Sequence, residues 1–479
     1  MTGRPSRPPQ THLGRVFDRL RRARRRTSPF HRRHPHGGQG GLKPARVFLL
    51  LFVTVDLLGT GLLLTPAAST GPDNLTFVEA LFTATTALAV CGLSIISIGG
   101  DLTHFGQGVV LALMQVGGMG IMTVAALLGT AVVHRFGLRM QLNVQAETKS
   151  LWVGDVRGLV SRVSLIFLTV QSITFALITP RMWLAYDMEL SEALYSGLFH
   201  SVSAFNNAGL SLYDDSMTQF SGDALVLFPI ALAVVLGGIG FPVIIELWRR
   251  FRLPRAWSLH TKITLTTSAV LLAGASLLIP ALEWNNAQTL GELHWWARIT
   301  DGVFHGVMPR SGGLNVTDVG AMEDSTLLFT IMLMFVGGGS AGTAGGIKVA
   351  TLAVISCVIF AEVRSQDRVH VFDRQLPAAV IRQSLSLIFM SATVVAFCTL
   401  LLLATTSYNF LPVLFEMVSA VGVVGLSMGL TPELPPWAQS MIIVLMAAGR
   451  IGPITFVTAL AMSDRKRRYA LAEDRPVIG

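Results

Sequence analysis

Four times along this chain a short apolar stretch ends in the same pattern. Phe82-x-x-x-Thr86-Ala87, Phe199-x-x-x-Ser203-Ala204 and Phe415-x-x-x-Ser419-Ala420 are each followed, after four intervening residues, by Gly92-Leu93, Gly209-Leu210 and Gly425-Leu426. The remaining copy, Phe304 to Gly313-Leu314, is one residue shorter and carries Pro309-Arg310 in between. Every copy lies between two longer apolar segments. A spanning helix takes about 20 apolar residues, so these shorter stretches read as re-entrant half-helices. The predicted unit is a membrane helix, a pore-type helix, an extended Gly-containing segment and a second membrane helix.

The units cover residues 45–134, 157–248, 260–363 and 380–462. Their predicted spans are 45–64 and 107–133, 162–184 and 224–247, 263–282 and 327–360, and 384–406 and 437–462. Eight spanning and four re-entrant helices make an all-α polytopic membrane protein, with four helix–pore loop–helix repeats around a central pore. The third unit differs from the rest. Phe335-Val-Gly-Gly-Gly-Ser-Ala-Gly-Thr-Ala-Gly-Gly-Ile-Lys348 interrupts its apolar run. Each glycine weakens a helix by about 1 kcal/mol relative to alanine, and non-helical backbone at membrane depth needs protein or a water-filled cavity around it. This predicts a broken helix whose loop lies in a permeation path; a glycine-rich helix-packing face is the alternative.

Composition agrees with the membrane reading: 51% of the 479 residues are hydrophobic and 14% charged. The net charge of +9 is not a nucleic-acid signal. Lys and Arg collect in 1–46, 135–157, 249–262, 364–382 and 465–475, whereas the alternate loops carry few. By the positive-inside rule both termini are cytoplasmic. Residues 1–44 form a basic tail without an apolar core, so they are no signal peptide. The tail reads as disordered, setting orientation and leaning on anionic lipid, with partner binding as the alternative; 463–479 is a second cytoplasmic tail.

Cys91, Cys357 and Cys398 are too scattered for a disulfide framework or metal cluster. His104, His200, His294 and His305 lack ligand spacing. No Walker A loop, Rossmann fingerprint or hydrolase constellation is present, so the chain reads as neither an enzyme nor a cofactor-binding protein.

A short helix ending at membrane depth, followed by glycine in extended backbone, can turn carbonyls toward a common axis. Four such loops would make a ring of dipoles able to replace a monovalent cation's hydration shell, and the helix carbonyl ends would add negative potential. The bland alternative is that these glycines only cap helices.

The phrases Ser203-Ala-Phe-Asn-Asn-Ala-Gly-Leu210, Gly117-Gly-Met-Gly-Ile-Met-Thr123, Arg310-Ser-Gly-Gly-Leu-Asn315, Gly337-Gly-Gly-Ser-Ala-Gly-Thr-Ala-Gly-Gly-Ile-Lys348 and Gly449-Arg-Ile-Gly-Pro-Ile-Thr455 resemble the Trk/Ktr/HKT superfamily of potassium-translocating subunits. The first repeat follows the tail directly, without the leading helix pair of the TrkH branch, so the chain is more similar to the KtrB branch.

The resemblance implies the conducting subunit of a bacterial potassium-uptake system in the inner membrane. K+ is the transported ion and Na+ a candidate activator. It also implies a homodimer above a cytosolic, KtrA-like nucleotide-binding ring, with no cofactor in this chain. The filter it implies holds K+ on backbone carbonyls of Val90, Cys91 and Gly92; Asn207, Ala208 and Gly209; Gly312 and Gly313; and Val424 and Gly425. Cys91 stands where the family usually has Thr, and Gly312-Gly313-Leu314 where it has Ala-Gly-Phe. The implied gate is Gly337, Gly338, Gly339, Ser340, Gly342, Thr343, Gly345, Gly346 and Lys348, with Arg450 below the filter.

The charges have competing readings. Arg450, deep in an apolar run, is either an electrostatic barrier bonded to gate carbonyls or half of a helix–helix ion pair. Lys348 either joins the gate or snorkels outward. Arg310 is expected to brace the filter through backbone carbonyls, while Asn206 and Asn207 tie pore loops together or, less simply, bind ions. Glu79, Glu192 and Glu416 are placed at pore-helix starts, where acids suit the helix dipole or draw cations. The functional rival is a cation-coupled secondary transporter with a midplane site between inverted repeats. Units with an even number of crossings share one orientation, which favours a pore.

Overall fold

The computed structural model describes residues 44–71, 74–120, 156–366, 368–372 and 374–452. The two tails, and the predicted spans beyond 120 and 452, lie outside the described residues. The first unit contains α1 (Pro44–Leu63), α2 (Phe77–Ala89) and α3 (His104–Met119). In the second come α4 (Val156–Ala185), α5 (Leu190–Asn206), α6 (Ala224–Ile239) and α7 (Phe241–Arg250). The third has α8 (Leu259–Glu283), α9 (Trp295–Val307), α10 (Asp324–Met334) and α11 (Val349–Val363). After an antiparallel hairpin of β1 (His370–Val371) and β2 (Arg374–Gln375) come α12 (Ala378–Thr405), α13 (Phe410–Gly422) and α14 (Pro436–Ile451).

Among the described residues four helices, α1, α4, α8 and α12, are long and apolar enough to cross a membrane. Their outward faces carry exposed Leu58, Leu168, Leu277 and Phe389. Apolar surface of this extent has lipid as its solvent. The short helices are the opposite case: α2 is buried continuously from Phe82 to Ala89 and α13 from Phe415 to Gly422. A helix apolar all round belongs in the core, and the repeated Phe82, Phe199, Phe304 and Phe415 are all fully buried there.

Packing closes a cycle. Each short helix meets the second helix of the unit before it: α5 on α3, α9 on α6, α13 on α10, and α2 of the first unit on α14 of the last.

The second helices depart from the sequence reading. The span expected over 224–247 is two helices, α6 and α7, meeting at 98°. Gly240 makes the corner with φ +102°, a left-handed-side conformation that an L side chain resists. Gly120 and Gly452 end α3 and α14 with φ +85° and +91°. The third unit breaks at the corresponding place by inserting the loop between α10 and α11. Hydropathy missed the corner because Pro242-Val-Ile-Ile245 continues the apolar run.

Candidate functional site: a glycine ring above an inserted loop

Gly92, Gly209, Gly313 and Gly425 meet one another around a closed ring. A Cβ built on Gly92 would lie 3.0 Å from Gly209 Cα, and one on Gly209 would lie 2.8 Å from Gly313 Cα. On Gly313 it would sit 2.6 Å from the Val424 carbonyl oxygen; on Gly425, 2.8 Å from Gly92 Cα. All four have positive φ, between +66° and +106°. The ring has room for backbone and no more. Cys91, Ala208, Gly312 and Val424, which precede these glycines, lie in the same buried layer.

These glycines are not helix caps. The left-handed capping residues stand two positions earlier: Val90, Asn207 and Val423, with Ser311 (φ +75°) equivalent in the third unit. Val90 N–H donates to Ala87 O and Cys91 N–H to Thr86 O. The same pair joins Asn207 to Ala204 and Ala208 to Ser203, and again Val423 to Ala420 and Val424 to Ser419. This is the Schellman closure of a helix C-terminus, made by the backbone of the repeated Thr/Ser-Ala dipeptide. The hydroxyls go further: Thr86 Oγ1 and Ser419 Oγ each accept the ring glycine's N–H at 3.1 Å, and Ser203 Oγ donates to Leu210 O at 2.7 Å.

The shorter third copy has Met308 here, whose carbonyl accepts from Gly312 N–H at 2.8 Å. Ser311 supplies the missing hydroxyl differently, donating to Val423 O at 2.6 Å and accepting from Gly345 N–H at 3.1 Å. Ser419→Ala strands the Gly425 N–H in a buried layer, at a cost of about 1–3 kcal/mol. We expect discrimination between K+ and Na+ in rubidium-competition assays to fall several-fold in Ser419→Ala and to recover in Ser419→Thr.

The residue after each repeated Phe forms a second layer that the spacing encodes and sequence reasoning passed over. It is Thr83, His200, His305 and Glu416. His200 Nε2 pairs with Ser211 Oγ at 3.0 Å and His305 Nε2 with Thr317 Oγ1 at 2.8 Å. Glu416 accepts from Ser427 Oγ at 2.6 Å, from Met428 N–H at 3.0 Å and from Thr431 Oγ1. Each bond fastens the segment leaving the ring to its own short helix. Glu416 is thus not at a helix start, since its helix begins at Phe410. Glu79 is at one: it forms a capping box with Thr76, and Glu192 lies in the first turn of α5.

The loop between α10 and α11 is held by backbone on several sides. Gly339 N–H donates to Gly238 O at 2.7 Å, Thr343 N–H to Gly237 O at 3.1 Å, and Phe241 N–H to Ala341 O at 3.0 Å. Within the loop Gly337 N–H reaches Ile347 O at 2.8 Å, and a Cβ on Gly337 would lie 2.1 Å from Gly345 O. Ser340 and Gly342 pack at the corner beside Gly240, and Gly346 turns against Gly422. Arg450 donates through its two terminal nitrogens to Thr343 O and to Gly117 O. Lys348 Nζ turns back into the loop, donating to Ala344 O at 2.7 Å and Gly345 O at 3.1 Å, instead of snorkelling.

Asn207 Oδ1 accepts from Thr343 Oγ1 at 2.9 Å, joining ring layer to loop. Asn206 Nδ2 donates to Gln115 Oε1 at 2.9 Å, joining α5 to α3. Arg310, expected to bond backbone carbonyls, reaches one on α8. Its Nη1 and Nη2 bond Ser268 O and Ser268 Oγ on α8, at 3.2 and 3.1 Å, and not the ring carbonyls. It braces the loop from behind because α8, not the ring, offers the acceptors its side chain can reach.

The family model described as TrkH, cation transport protein, matches residues 52–469. The chain is 38% identical over 427 residues to Ktr system potassium uptake protein B of Bacillus subtilis, covering 89% of this chain and 95% of that one. It is 36% identical over 424 residues to the protein of the same name from Vibrio alginolyticus, with 88% and 91% covered. The crystal structure of the potassium transporter TrkH from Vibrio parahaemolyticus shares the fold, with a TM-score of 0.70 at 18% identity over 90% of this chain and 87% of that one. With four cyclically packed units, a glycine ring and a match over most of its length, this chain belongs to the TrkH family of cation transport proteins, a family of multi-pass membrane transporters and not an enzyme class.

Proposed function

We propose that this chain is the ion-conducting subunit of a bacterial potassium-uptake system, passing K+ down its electrochemical gradient. The observation that carries the reading is the closed ring of Gly92, Gly209, Gly313 and Gly425, where backbone approaches backbone with no space for a side chain. The carbonyls of Val90, Cys91, Asn207, Ala208, Gly312 and Val424 and of the ring glycines themselves would replace the ion's water. The C-termini of α2, α5 and α13 end at this ring, and their dipoles favour a cation there. Arg450, Lys348 and residues 337–346 form the gate. Asn206 and Arg310 hold the pore loops in place.

The distribution of Lys and Arg supports cytoplasmic termini, and the family resemblance supports the inner membrane. The Bacillus and Vibrio relatives are named as components of a Ktr system. For this chain we infer a homodimer over a KtrA-like nucleotide-binding ring. A relative from Enterococcus hirae, 28% identical over 449 residues, is named a potassium/sodium uptake protein, which fits Na+ as a second ion at this site; its role as activator rests on the family resemblance. Reconstitution into liposomes tests the core of this reading. Rubidium should enter down a potassium diffusion potential without any second ion gradient. Uptake that stops when the Na+ or H+ gradient is collapsed would make the protein a coupled transporter.

A further inference from the structure

The corner at Gly240 joins the inserted loop to a surface that the conduction reading leaves unused. α7 starts buried, with Phe241 7% and Val243 0% exposed. It ends in the open: Trp248 is 70%, Phe251 74% and Leu253 62% exposed. The turn that displays them is built, not loose. Trp257 Nε1 donates to Arg250 O at 3.0 Å, Arg250 Nη1 to Ala256 O at 3.3 Å, and Glu246 accepts from Ser258 N–H at 2.9 Å. Arg249, Arg252 and Arg255 share this turn.

The depth is right for an interface. α6 has 16 residues, about 24 Å of helix at 1.5 Å per residue, against a hydrocarbon core of about 30 Å. With α6 along the membrane normal, the 98° turn that follows it would lay α7 near the membrane plane, the setting of interfacial amphipathic helices. Aromatic and leucine side chains beside arginines suit anionic lipid: apolar rings for the acyl boundary, guanidinium groups for phosphate.

We propose that α7 and the turn to Arg255 bind anionic phospholipid headgroups and pass that binding to the loop. Trp248, Phe251 and Leu253 enter the bilayer boundary, Arg249, Arg252 and Arg255 meet lipid phosphates, and the Phe241 N–H bond to Ala341 O carries the shift. This rests on the gate and orientation of the proposed function. Three arginines near an anionic surface correspond to roughly a hundredfold preference over a neutral one.

The test compares the full chain in phosphatidylcholine vesicles with and without phosphatidylglycerol, reading rubidium uptake and, by native mass spectrometry, retained phosphatidylglycerol. Wild type should take up rubidium several-fold faster with phosphatidylglycerol. The triple variant Arg249→Gln/Arg252→Gln/Arg255→Gln should lose that difference and the retained lipid, while keeping its rate in neutral vesicles. Trp248→Ala/Phe251→Ala should weaken both. An unchanged lipid response with undiminished retention in the triple variant overturns the proposal. So does a variant that keeps its lipid response but no longer responds to a cytosolic nucleotide-binding partner, which would make the turn a protein-docking surface. Absence of rubidium uptake in every vesicle would refute the conduction reading instead, and retained lipid would still decide the headgroup site.

Discussion

Gly425→Ser should raise the apparent KM for potassium uptake by roughly tenfold or more and erase most discrimination against sodium, in protein that still inserts. A Cβ at Gly425 would lie 2.2 Å from Cys91 O and 2.8 Å from Gly92 Cα. Both obstacles are backbone, so no rotamer change relieves them, and the φ of +95° adds its own penalty. The left-handed region alone costs an L residue about 1–2 kcal/mol, and about 1.4 kcal/mol is already tenfold in affinity. Displacing the Cys91 carbonyl moves a proposed ion ligand directly. Gly209→Ser should act in the same direction through Gly313. The control is Gly61→Ala in α1, where nothing lies within 4 Å and kinetics should not change. Rubidium uptake with potassium and sodium as competitors reads all three, and wild-type behaviour of both ring variants would remove these glycines from the ion path.

Arg450→Ala should raise the maximal uptake rate more than tenfold with little change in apparent KM. The guanidinium holds Thr343 O of the loop and Gly117 O at the end of α3. Hydrogen bonds from a charged donor contribute about 1.5–3 kcal/mol each, so losing even one shifts a closed–open equilibrium by an order of magnitude or more. The same substitution removes a permanent positive charge from the route of a cation. Deleting residues 340–343 should act alike, because it takes away Thr343 and the Ala341 anchor while leaving the ring intact. Initial rates across a potassium series in vesicles separate rate from affinity. A slower rate in folded, inserted protein of either kind would make the loop a brace for the pore, not a gate.

Much of this was legible because glycine and small hydroxyl residues were demanded at fixed distances from a buried Phe. Sequence spacing carried the four-unit plan, the ring and the loop. It did not carry the left-handed backbone at Val90 and Val423, since a β-branched residue there runs against intrinsic preference and only the closed ring imposes it. Nor could it supply the partner of Arg310, which is chosen by the packing of α9 against α8. The layer of His200, His305 and Glu416 was within reach: aligning one residue beyond each Phe exposes it. Those side chains were read separately, the histidines as lacking ligand spacing and Glu416 as an acid at a helix start, because they differ in type and a search for repeated residues does not register a repeated role.

That difference in type matters for how a fourfold arrangement can be built. A channel assembled from four identical chains would have to place the same side chain behind every quarter of the ring. Repeating Glu416 would bury four carboxylates around one axis, and repeating His200 would leave no acceptor strong enough for the three donors that Glu416 gathers from Ser427, Met428 and Thr431. Fusing the quarters into one polypeptide lifts the restriction. One corner can hold a single acid, two can hold imidazoles, and the third unit can insert a loop between α10 and α11 where the second only turns a corner at Gly240. Covalent linkage thus lets each quadrant of a near-symmetric pore specialise on its own.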